Sequence, residues 1–90
     1  MTPLSPDSRP VLKSLFRLQW EEAQQAHVLL YPEGMVKLND SAAEILKYCT
    51  GAYTVQAICV DLQQRFEVDD LRDDVMQFLE HAVERGWLQY

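Results

Sequence analysis

Glycine is scarce in this 90-residue chain, with three residues at positions 34, 51 and 86. Glycines so far apart cannot build a phosphate-cradling loop, which excludes nucleotide chemistry of that kind. Cysteine occurs twice, at 49 and 59, each at a helical core spacing among apolar neighbours. Two such thiols read as small buried hydrophobes rather than a disulfide framework. The histidines, 27 and 81, are far apart, and no Cys/His spacing resembles a zinc site. No apolar run approaches 18 residues, so a transmembrane helix is excluded. The opening MTPLSPDSRPVLK lacks the basic-then-apolar layout of a secretory signal, so a cytoplasmic protein is expected. Bases are also few: eight against 14 acids, for a formal charge of −6.

That charge is concentrated. Residues 61–90 hold eight carboxylates and three arginines, a net of −5, leaving −1 for the first sixty. Phosphate backbones are held by basic patches, so nucleic acid is disfavoured as a partner. The acid pairs Glu21-Glu22, Asp69-Asp70 and Asp73-Asp74 have structural explanations. Asp69 and Asp70 suit a helix amino terminus, where the dipole and free N–H groups favour negative charge. Asp73 and Asp74, adjacent on a helix, diverge by about 100° and cannot chelate together. No calcium loop and no nucleophile elbow is present. The chain therefore reads as a non-enzyme without metal or cofactor.

Ninety residues make one domain. Residues 1–13 carry Pro3, Pro6 and Pro10 and read as a mobile arm, leaving 14–90 as the folded domain. Residues 15–20 alternate, placing Phe16, Leu18 and Trp20 on one face of a first strand. Residues 27–31 form a second and 34–38 a third, joined by a type I turn on Pro32 with a bulge at Gly34. Asn39, or Ser41 with Glu44, caps a first helix bearing Ala42, Ile45, Leu46 and Cys49 on one face. Thr54 caps a second, with Val55, Ile58, Cys59, Leu62 and Phe66 aligned. Asp69 or Asp70 caps a third that runs to Gly86, after which Trp87 and Leu88 return to the core.

The third helix is apolar over a wide arc. Leu71, Val75, Phe78 and Ala82 form a narrow core stripe. Met76, Leu79 and Val83 widen it to about 160°. Either that width packs two neighbours, which periodicity alone favours, or its flank lines a groove.

The expected fold is α+β: a three-stranded antiparallel sheet followed by three α-helices, like a winged helix-turn-helix. A DNA reader would present basic and amide side chains on its third helix, and here that helix is acidic. For an extended ligand the available mechanism is strand addition, with a peptide pairing on the free edge of the third strand.

The segments RLQWEEAQ (17–24), LLYPEGMVKLN (29–39), SAAEIL (41–46), DVMQFL (74–79) and GWL (86–88) closely resemble the pyrroloquinoline quinone biosynthesis protein D (PqqD) family, from about Arg9 to Leu88. The resemblance implies a stand-alone recognition element for ribosomally made, modified peptides. It would bind the precursor peptide PqqA and present it to PqqE, a radical S-adenosylmethionine enzyme that cross-links a glutamate and a tyrosine of the peptide. It also implies a peptide lying along Met35, Val36, Lys37 and Leu38, opposite Arg72, Met76, Leu79 and Val83. With it, the groove reading of the wide stripe becomes the favoured one. A different modified peptide is the alternative partner. The free strand edge or the arm is also compatible with a homodimer.

Overall fold

Residues 3–90 are described by a computed structural model; Met1 and Thr2, the start of the expected arm, lie outside the described residues. Alternation near residue 18 produces β2 (Arg17–Glu21), which pairs antiparallel with β3 (Ala26–Tyr31), Leu18 opposite Leu29. The third member of this sheet is β4 (Gly34–Lys37), also antiparallel to β3, giving the order β2-β3-β4. The register runs unbroken from Val28–Lys37 to Tyr31–Gly34. Pro32 and Glu33 are thus a two-residue turn without the expected bulge, and Gly34 supplies the positive φ of +156° at its exit.

Helix α1 (Asp40–Leu46) follows at once, capped by Asn39, whose side chain accepts the Ala42 N–H at 2.8 Å. Helix α2 (Val55–Phe66) is capped by Thr54, which accepts from the Ala57 N–H at 3.1 Å. Helix α3 (Arg72–Glu84) starts at Leu71, which provides no side-chain cap. Asp70, one residue earlier, accepts the Arg72 N–H at 3.0 Å instead. The helix stops two residues short of Gly86, whose φ of +82° lets the chain reverse. Leu29, Leu38, Ile58, Leu79 and Leu88 meet in a core shared by sheet and helices.

The proline-rich arm is not free over its described length. Val11–Leu12 form β1, paired antiparallel with β5 (Leu88–Gln89). Pro10 is fully buried, and the Ser8 and Pro6 carbonyls accept the N–H groups of Val55 and Gln56. Prolines cannot donate to a ladder, but their own carbonyls and those of their neighbours can accept. The arm so satisfies the first turn of α2, which expectation of a mobile segment overlooked.

Two aromatic residues expected inside are half exposed. Trp20, at the end of β2, is 47% exposed, stands edge-on to His27 and donates from Nε1 to Glu22 at 2.8 Å. Phe66, in the last turn of α2, is 50% exposed beneath the Arg65 guanidinium, 5.1 Å from its ring centre. Alternation and helical period continue to the element ends, whereas the packed neighbours do not.

Candidate functional site

β2 and β4 are the two edge strands of the sheet, and the outer edge of β4 lies beside α3. Among the described residues β4 has no strand on its far side. Antiparallel pairs alternate between those that exchange hydrogen bonds and those that do not. The Leu38 N–H donates to the His27 carbonyl at 2.9 Å, which sets the phase. By alternation Val36 and Gly34 also bond inward, while Met35 and Lys37 turn their N–H and C=O groups away from β3. Their side chains are exposed, and those of Val36 and Leu38 point inward, half-buried and buried. The edge offers backbone bonding from two residues and apolar contact from the two that alternate with them.

Across from this edge stands α3. A groove of about 350 Å³ separates them. Val36, Lys37 and Leu38 line one wall, Asp74, Phe78 and His81 the other, with Trp87 and Ile45 also contributing. Phe78 is half-buried and supplies the apolar surface of the helical wall. Asp74 and His81 flank it one turn away on either side. His81 accepts at Nε2 from Arg85 Nε at 3.0 Å and packs edge-on against Trp87, ring centres 6.3 Å apart. These contacts hold the imidazole at the end of the groove.

The sequence-derived site is therefore half assembled. Met35, Val36, Lys37 and Leu38 share the open edge as expected. Arg72 and Met76 lie on the other flank of α3, in a cleft toward α2 that includes Pro6 and Cys59. Leu79 is fully buried in the core, and Val83 is half-buried against it. The core stripe is Val75–Leu79–Ala82, so Phe78 and Leu79 have exchanged their expected roles. A signal for the wall that faces β4 existed: Asp74, Phe78 and His81 recur at i, i+4 and i+7.

Electrostatics fit a peptide better than a nucleic acid. Asp73, Asp74, Glu80 and Glu84 of α3 are all exposed, which repels a phosphate backbone. Asp70 is held down to a pKa of about 2 by the hydrogen bonds it receives from the Arg72 side chain and backbone. The thiols are 3% exposed each, and burial pushes the Cys49 thiol up to about 12. Among the described residues no group of three or more His, Cys, Asp and Glu side chains is placed to hold a metal ion. None of the helices among them is long and apolar enough to cross a membrane.

Residues 26–88, which contain the whole edge and groove, match the family model described as coenzyme PQQ synthesis protein D (PqqD). The chain belongs to the PqqD family. A relative from Azotobacter vinelandii named PqqA binding protein is 56% identical over 81 residues, covering 89% of this chain and 88% of its own length. One of the same name from Methylococcus capsulatus is 43% identical over 86 residues, covering 96% and 92%. Among solved structures, the chain is similar to the PqqD truncation of Methylobacterium extorquens PqqCD. The TM-score is 0.82 at 31% identity, over 99% of this chain and 97% of that one. That structure is described as a functional, stand-alone recognition element for ribosomally synthesized and post-translationally modified peptides. The PqqD fold here is α+β, three antiparallel strands and three helices, with one additional two-stranded pairing of its termini.

Proposed function

We propose that this PqqD-family chain binds the precursor peptide PqqA by strand addition to β4 and presents it to the radical S-adenosylmethionine enzyme PqqE, performing no chemistry itself. The observation that carries this reading is the pair of outward-facing backbone groups at Met35 and Lys37, set across a groove from Phe78. A peptide strand would pair with those groups and lower alternate side chains onto Val36 and Phe78. The groove is small, so most of a bound peptide stays accessible to an enzyme. Relatives named for PqqA binding support the identity of the peptide. The proposed setting is cytoplasmic. A second copy pairing through β4 would occupy the same edge, so a homodimer of that kind would compete with the peptide.

The test is a titration of isotope-labelled protein with PqqA. The Met35 and Lys37 amides are expected to shift at saturation, and those two residues silent throughout would overturn strand addition at β4. Lys37→Pro removes one outward N–H, and one net hydrogen bond is worth about 0.5–1.5 kcal/mol, up to about tenfold in affinity. Unrelated leader peptides serve as competitors; if they bind equally well, PqqA is not the specific partner.

A further inference from the structure

The groove beside β4 is not the largest concavity. A cleft of about 730 Å³ opens between the end of the sheet, α1 and the junction of α2 with α3. Trp20, Phe66 and Val68 stand around it, 47%, 50% and 42% exposed, and Leu62 and Val75 contribute buried surface. Its walls are fixed. Trp20 is held by Glu22 and His27, and Phe66 lies under an Arg65 that donates to the Tyr48 hydroxyl at 3.0 Å and pairs with Glu44 at 3.5 Å. A volume of this order holds large side chains.

Two further observations say what belongs there. The cleft and the groove share Ser41, Ile45 and Asp74, so they meet at the end of the groove beside Lys37 and Leu38. The rim is acidic: Glu44 is neutralised by Lys47 and Arg65, but Asp40 and Asp74, each in the first turn of its helix, have no side-chain hydrogen-bond or ion-pair partner among the described residues. An apolar cleft with carboxylates at its mouth that lack a cationic side-chain partner is complementary to a large apolar side chain beside a basic one.

We infer that this cleft is a second pocket for the same peptide, taking an aromatic or large aliphatic residue from the segment that continues past the strand-paired part, with an adjacent lysine or arginine facing Asp40 and Asp74. The inference rests on the reading that PqqA occupies the β4 groove.

The test compares full-length PqqA with a fragment trimmed to the shortest span that still shifts the Met35 and Lys37 amides, each titrated calorimetrically into the whole chain. Phe66→Ala is expected to weaken the full-length peptide about tenfold and Asp40→Asn about threefold, the latter with a flatter salt dependence. The fragment should bind both variants within about twofold of the parent. Should Phe66→Ala fail to fold, Trp20→Ala on the facing wall carries the test. Full-length affinity unchanged in the variants, with the two edge amides still shifting, overturns the cleft and leaves the groove standing. Equal losses for peptide and fragment overturn it too, as does binding of PqqE rather than peptide being impaired. Silent edge amides overturn the groove reading and this extension together.

Discussion

The two flanks of α3 are near equivalents in composition and opposites in setting. One carries Asp74, Phe78 and His81, the other Arg72, Met76 and Val83; each mixes apolar with charged side chains beside the buried Val75–Leu79–Ala82 stripe. The first faces a strand edge with unpaired backbone groups. The second faces α2, whose amino-terminal N–H groups are already engaged by the arm. On the proposed reading a flank serves recognition through what stands opposite it, because strand addition needs backbone donors and acceptors that no side chain on α3 supplies. Apolar surplus alone does not distinguish the two.

Several substitutions would break or sharpen this contrast. The largest effect is expected from the stripe between the flanks: Leu79→Ala should cost about 2–5 kcal/mol in denaturant unfolding, as a fully buried leucine leaves a cavity. Peptide affinity of the folded fraction should change little, and a selective affinity loss with stability intact would return Leu79 to the binding surface. Next come the flanks themselves. Phe78→Asp should weaken PqqA binding about tenfold or more, while Met76→Asp, on the α2 side, should bind within about twofold. The reverse ranking would place the peptide on the other flank.

Proline scanning of the edge gives a subtler test of the same contrast. Val36→Pro deletes an inward N–H and should lower the thermal midpoint, whereas Lys37→Pro deletes an outward one and should lower affinity with a smaller loss of stability. If both lose stability equally, the assigned phase of the ladder is wrong.

The smallest expected effect lies on the α2 flank, in acid. Asp70 is depressed to about 2 by its hydrogen bonds from Arg72, so its contribution is present above the ordinary carboxylate value of 3.8 and is lost as pH falls toward 2. Both partners are exposed, at 55% and 77%, so solvent screens most of it. Asp70→Asn should slightly flatten the fall of the thermal midpoint between about pH 4 and 2. A flattening that extends to neutral pH would assign the effect to helix capping rather than to titration. The buried thiols supply a control on intactness: with Cys49 held at about 12, alkylation of the native chain near pH 8 should proceed only through opening.

By itself the sequence determined the three strands of the sheet and the three helices, in order. Alternation near Leu18, the Pro32-Glu33-Gly34 turn and the caps Asn39 and Thr54 are local instructions, each readable because its physical cause lies within a few residues. The open edge of Met35–Leu38 was legible for the same reason, and the family segments named the peptide it would serve. Tertiary structure decided which flank of α3 faces that edge, since a helix repeats every 3.6 residues and Phe78 and Leu79 fall within one broad apolar arc. It also decided which edge residues turn their N–H groups outward, because that parity depends on the register with β3, fixed from Val28–Lys37 to Tyr31–Gly34. The arm's docking was hidden in the same way. Its carbonyls find their donors at Val55 and Gln56, some fifty residues along the chain, and a contact of that range is chosen by packing rather than by local sequence.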